Sequence, residues 1–444
     1  MVGTVSTILA ATIINVAFPA LIREFNIGHD SLQWVATGFL AATTTTMLAT
    51  AWLVESFGQR RTFVGALAVF LAASALGAAS WSTEVLIASR VLQGAATGVL
   101  QPLAMVALFD VFPPERRGSA MGMFGFGIVL APAVGPVVGG LLVQSFGWRS
   151  IFLLSMPFCV AGMLLGWRFL RRRTSLGKRH PFDWIGAVLL AAALVALLNV
   201  PVVGHRAGWT SAALLALAAL TALLTLAFIA WEFRSAAPLL AMRLFGVGGF
   251  RSAALVAFAY GLGLFGSTYL IPVFVQDISG YSPSRAGYLL LWPGLALALA
   301  IALAGRVTDR VEPRWVVGAG LACFALSSAL LAVAGVQTSF AELVGWLVLG
   351  RVGLGMIIPA LNVGAVQALD SQYVAYAAAS VNFVRQLGGA IGVNLLAVLL
   401  EWRLGAHAEP GGAATAFQEC FWVVTIAFAA ALMPALFIRK HGNF

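Results

Sequence analysis

The stretch AWLVESFGQRR at residues 51–61 closes one apolar run and opens the next, and GRVTDRVEPR at 305–314 does the same later in the chain. At an offset of 254 residues, Glu55 matches Asp309 and Arg60 matches Arg314. Each copy sets a carboxylate at a helix end and guanidinium groups four to six residues away, a combination able to pin a tight turn to neighbouring helix ends. Such charges also flank membrane helices with no further role; a second copy in a corresponding place argues for duplication. A weaker echo has the same sense: RVLQGAATGVLQP at 90–102 and RVGLGMIIP at 351–359 both run from an Arg through glycines to a proline.

Around these turns the chain is 61% hydrophobic and 9% charged over 444 residues, against about a quarter charged in a soluble domain. Apolar stretches of about twenty residues fit a hydrocarbon core of roughly 30 Å, and strand-like alternation is lacking, so the spans are helical. Fourteen are expected: six in residues 1–170, two in 183–234 and six in 250–444, with linkers at 171–182 and 235–249. Two parallel six-helix repeats with a site between them are a transporter architecture. The first span starts almost at Met1 without a basic leader or cleavage site, and reads as a retained helix. Cys159, Cys323 and Cys420 lie in apolar spans without paired spacing and read as core residues, with no metal site.

The net charge of +10 reports topology rather than nucleic-acid binding. With both termini cytoplasmic, eighteen of the 26 Lys and Arg fall on the cytoplasmic side, five opposite, and three, Arg90, Arg351 and Arg385, within spans. That asymmetry obeys the positive-inside rule.

The motifs resemble the major facilitator superfamily, and within it the fourteen-helix drug:proton antiporter branch. Residues 51–61 resemble the signature between helices 2 and 3, with Glu55 where Asp is usual and Ser56 where Arg is usual. RVLQG at 90–94 matches the helix 4 signature, and APAVGPVVGG at 131–140 matches the helix 5 antiporter signature apart from Ala131. GWRSIFLLSMP at 147–157, FDWIGAVLL at 182–190, the segment 231–245, VFVQDISGYSPSRAG at 273–287 and VRQLGGAIG at 384–392 extend the resemblance over the whole chain. It implies an all-α major facilitator fold with two extra central helices, and a role for Arg90, with Gln93 beside it, in proton coupling. It also implies that the bend at Gly135, Pro136, Gly139 and Gly140 lies between the halves and favours export.

The residues carry their own physics. Arg90 in an apolar helix costs about 2.5–3.5 kcal/mol on insertion scales, so it either faces the bundle interior or snorkels to the boundary. Arg385 sits near mid-depth beside Asn382 and Gln386, as a functional site or as a hydrogen-bonding hub, and Arg351 carries the same ambiguity. Gly135, Gly139 and Gly140 leave a helix face almost without side chains, which suits close packing. Gly58, Arg60, Arg61, Gly94, Arg310 and Arg314 complete the turn and packing motifs, with Glu55 and Asp309 as coupling candidates. For a cavity taking amphipathic compounds the polar and aromatic candidates are Thr12, Asn15, Gln101, Tyr260, Tyr269, Trp292, Asn362 and Asn382.

One group is missing. None of the sixteen acids falls near the centre of a helix, whereas proton antiport usually needs a buried carboxylate for which proton and substrate compete. In the resembling pumps helix 1 carries an Asp directly after the position of Leu9; here that residue is Ala10. Asp110, Glu401 or Glu419 could take the proton, coupling could run through Glu55, or the protein could be a facilitator.

The five histidines are scattered, which disfavours an enzyme, and the longest non-spanning segment is too short for a receptor's output module. The expectation is an exporter of hydrophobic or amphipathic compounds in the cytoplasmic membrane, with no cofactor and the proton gradient as energy source. A lipid, siderophore or metabolite is the alternative cargo. The resemblance adds a periplasmic adaptor and an outer-membrane channel as possible partners.

Overall fold

Inside a bilayer no water satisfies a peptide group, so each apolar run closes its own hydrogen bonds as an α-helix. In the computed structural model, which describes residues 2–25, 29–170, 181–367, 369, 373–407, 409 and 412–438, fourteen such helices form. They are α1 (Val2–Phe25), α2 (His29–Phe57), α3 (Gln59–Ala78), α4 (Thr83–Val111), α5 (Arg117–Phe146), α6 (Ser150–Phe169), α7 (Trp184–Ala207) and α8 (Ala212–Arg234). The second part comprises α9 (Gly248–Asp277), α10 (Pro283–Arg310), α11 (Pro313–Leu331), α12 (Phe340–Gln367), α13 (Val374–Ala406) and α14 (Gly412–Ala435). Twelve carry a described stretch long and apolar enough to cross a membrane; α1 and α5, the other two, include side chains outside the described residues.

The helices pack in a repeated pattern. In the first part α2 lies on α4, α3 on α4 and α6, and α1 on α5 and α6; in the second α10 lies on α12, α11 on α12 and α14, and α9 on α13 and α14. Shifting every label by eight maps one set of contacts onto the other. The two bundles meet through α5 with α10 and α12, and through α2 and α4 with α13. The extra pair α7 and α8 is central in the chain but peripheral in space, with α7 packing on α2 and α13.

Glycines set the closest crossings, because helices without a mutual hydrophobic drive gain from backbone approach and interhelical hydrogen bonds. A Cβ on Gly94 would stand 2.3 Å from the Phe39 carbonyl oxygen, and one on Gly98 2.2 Å from that of Thr43. Into this crossing α2 projects Thr43 and Thr46, whose hydroxyls donate to the carbonyls of Gly94 (3.0 Å) and Ala95 (2.8 Å). On the opposite half Gly261 and Gly388 bring α9 against α13 in the same manner. Of the glycines expected between the halves, Gly139 lies against Ile13 of α1, inside the first bundle. The side chain of Pro136 lies outside the described residues.

Two buried acids anchor the extra pair. Asp183 caps α7 at the Gly186 N–H (2.9 Å) and accepts from Trp231 Nε1 of α8 (2.8 Å). Glu232 accepts the N–H of Leu240 (2.9 Å) and thereby ties the following linker to α8. These bonds account for the FDWIGAVLL segment and for the acid in the segment 231–245.

The crossing at Gly94 gives a direct test. Gly94→Val forces carbon atoms into the Phe39 carbonyl and costs about 1–3 kcal/mol, the usual range for overpacking. The monodisperse yield after detergent extraction should fall to less than about half, whereas Gly65→Val, where nothing lies within 4 Å of the new Cβ, should retain it.

Candidate functional site

Arg90 sits eight residues into α4 and is sealed from solvent at 1% exposure, so it does not snorkel. Its Nη1 donates to Gln93 Oε1 (2.8 Å) and to the Ala10 carbonyl (3.3 Å), its Nε donates to the Val35 carbonyl (3.4 Å), and it stacks over Phe39 at 4.3 Å. Gln93 in turn donates to Ser74 Oγ (2.9 Å), which lies 3.4 Å from Ser155 Oγ. The buried cation is thus held by amide, carbonyl and ring groups from α1, α2 and α4. Ala10 touches it through its backbone, so the residue that replaces the expected acid stands against the guanidinium.

The second bundle holds a different arrangement. Arg385 Nη2 donates to Asn382 Oδ1 (3.0 Å), and Asn382 Nδ2 donates to the Ala378 carbonyl (2.8 Å), which fixes the amide orientation. Tyr260 on α9, 2% exposed, lies within electrostatic reach of both Arg385 and Arg351. Arg351 also borders a small void of about 10 Å³ with Ser267, Ser327 and Ser328, room for a single water. Unlike Arg90, Arg351 and Arg385 are only partly buried.

On the Arg-rich face the halves are clasped. Asp309, at the end of α10, accepts the N–H groups of Gly118 (2.7 Å) and Ser119 (3.0 Å) and the Ser119 hydroxyl. These donors open α5, where backbone N–H groups lack helical partners and the dipole favours an anion. Gly118 and Gly305 allow the approach; a Cβ on either would be 2.5 Å from the other's carbonyl oxygen. The counterpart contact joins α2 to α13, where the Tyr376 hydroxyl donates to Glu55 Oε2 (2.9 Å). In both places an acid ending the second helix of one bundle meets the first turn of the fifth helix of the other.

The guanidinium groups of the repeated turns act apart from these acids. Arg314 Nε pairs with Glu312 (2.6 Å) rather than Asp309, and Arg60 lies over the Trp167 ring at 4.0 Å. Arg61 and Arg310 are exposed. Gly58 adopts φ 80 before α3, a conformation that favours glycine.

The remaining candidates scatter. Gln101, Asn362 and Tyr269 are half-buried, with Tyr269 near Glu401. Trp292 is exposed on α10 and edge-on to Tyr288, apart from the arginine cluster. The side chains of Thr12 and Asn15 lie outside the described residues. Among the acids, Asp110 is exposed and accepts from Gln59, while Glu419 is paired with Arg403 and sits 3.4 Å from His407 Nε2. The threonines of α2 and the Asp183–Glu232 pair escaped the sequence reading, since hydroxyls and span-end acids carry no motif by themselves.

The Major Facilitator Superfamily pattern matches residues 1–270 and again 253–443. The chain is 30% identical over 402 residues to the multidrug resistance protein B homolog of Mycobacterium tuberculosis, covering 90% of this chain and 74% of that one. It is 28% identical over 445 residues to the methylenomycin A resistance protein of Bacillus subtilis, covering 99% and 93%. In three dimensions it is similar to the human organic anion transporter MFSD10, with a TM-score of 0.69 at 18% identity over 98% and 97% of the chains.

The clasp is testable by accessibility. Removing the Asp309 charge forfeits about 1.5–3 kcal/mol of charge-assisted bonding, a roughly tenfold or larger shift towards opening. Asp309→Asn should therefore raise the maleimide labelling rate of a cysteine placed at Ser119, measured from the Arg-rich side, against the same cysteine with Asp309 intact.

Proposed function

Because the chain belongs to the major facilitator superfamily, and is therefore a multi-pass membrane transporter rather than an enzyme, we propose that it exports hydrophobic or amphipathic compounds by alternating access. The observation that carries this reading is the duplicated clasp, with Asp309 on α5 and Glu55 on α13. Two bundles that pack along α5 with α10 and α2 with α13, and are clasped by polar contacts at one face, can rock about a site between them, closing one end as the other opens. The names of the two drug-resistance relatives support efflux as the direction.

The membrane is the cytoplasmic one, and the clasped face is cytoplasmic, because the Lys and Arg residues concentrate there. The site then faces outward in this state. The energy source is the proton gradient, with an acid outside helix 1 as carrier. Ala10 favours a second reading, a facilitator without a proton step, since the guanidinium of Arg90 meets a carbonyl where a carboxylate would couple to it.

Everted vesicles carrying the full chain separate the two. Uptake of at least one member of a panel of cationic, neutral and anionic fluorescent amphiphiles should appear on energisation and collapse by at least about tenfold with an uncoupler. Uptake that persists with the uncoupler assigns the facilitator, and uptake of none of the panel removes the exporter reading.

A further inference from the structure

Among the described residues the guanidinium charge inside this protein has no carboxylate against it, and we propose that the transported compound brings the anion. The substrate class is an amphiphile with one oxyanion head, carboxylate or sulfonate, held at Arg385 with Tyr260 and Arg351 behind it. This assignment rests on the exporter reading and names its cargo.

The positions carry the argument. Arg385 is the twelfth residue of α13, and the next acid on that helix, Glu401, is sixteen residues on, about 24 Å away at 1.5 Å per residue. Tyr260 is the thirteenth residue of α9, about 25 Å from Asp277 at its end. On α12, Glu342 precedes Arg351 by nine residues, about 13 Å. Among the described residues no carboxylate is hydrogen bonded or ion-paired to Arg90, Arg351 or Arg385; the ionisable group near both Arg351 and Arg385 is Tyr260. A charge in an apolar interior is retained where it is paired or serves a ligand.

The three arginines are not equivalent. Arg90 is sealed, and its donors are shared among Gln93, Ala10 and Val35. Arg385 is only partly buried, and of its five N–H donors the described bonds use one, to Asn382. Asn382 and Gln386 lie one turn apart on α13, between the Gly388 and Gly392 face that meets α9 and the Phe383 and Leu387 face that meets the extra helices. A planar guanidinium with free donors on that polar stripe matches an oxyanion bidentately. The same charge, with Arg351 behind it, repels a cationic head. The lack of an acid at Ala10 now acquires a second meaning, since a helix 1 carboxylate would neutralise part of this positive interior.

The test uses three dansyl probes of similar size: dansyl-leucine as the anion, its methyl ester as the neutral form, and a dansylated diamine as the cation. They are assayed for energised uptake in everted vesicles and for binding to the purified full chain. Dansyl-leucine should be preferred, and Arg385→Gln should lower its uptake relative to the ester by roughly tenfold or more, the usual weight of a lost charge-assisted bond. Arg385→Lys, which keeps the charge but not the bidentate fork, should restore part of the preference at an unchanged melting temperature, so that a folding defect is recognised as such. Preference for the diamine or the ester overturns the anion assignment and leaves the exporter reading standing. An undiminished acid-to-ester ratio in Arg385→Gln overturns the site, and movement of none of the probes overturns both readings together.

Discussion

Polar groups inside a bilayer have no water to fall back on, so each must find its partner within the protein. In this chain those partnerships are also the joints between helices. The Thr43 and Thr46 hydroxyls reach the carbonyls of α4, Asp309 reaches the N–H groups that open α5, and Asp183 and Glu232 fasten α7, α8 and the linker after them. Glycine serves the same end by letting backbones approach until such bonds are short. The Gly118–Gly305 contact and the Asp309 cap belong together, since the carboxylate reaches α5 where the helices touch closely.

Duplication gives this arrangement its use. Each bundle contributes an acid from its second helix to the fifth helix of the other, so the clasp is made twice about a pseudo-twofold axis. Contacts between opposite bundles break when the bundles rock, whereas contacts within a bundle travel with it. Arg90 and its bonds to Gln93, Ala10 and Val35 lie wholly inside the first bundle and persist through such a motion. That separates the interior of one bundle, where a buried charge is held by hydrogen bonds from the same bundle, from a hinged seam, where acids sit at helix ends and can be exchanged.

The departure at Ala10 changes the electrostatics more than the architecture. Small residues at this depth pack without difficulty, and Ala10 is buried against its neighbours. Its effect is on the sum of charge: three guanidinium groups inside the helices and the acids gathered towards the ends. A coupling mechanism built on a helix 1 carboxylate has no foothold there, and the chemistry passes to the seam acids, to a span-end acid or to the cargo.

Much of this was legible in the residues. Hydropathy determined the helices, because insertion energetics act on local sequence. The offset between Glu55 and Asp309 revealed the repeat, because duplicated turns keep their residues in register. What each residue touches was decided by tertiary structure alone. Asp309 turned to α5 and not to Arg314, since an unpaired helix N-terminus across the seam offers several donors at once. Gly139 went to Ile13 inside the first bundle, and the glycines that meet α10 proved to be Gly118, Gly122 and Gly125, because a bare helix face specifies closeness but not a partner. Tyr260 and Arg385 are 125 residues apart in sequence and share no motif; only the crossing of α9 with α13 places them together.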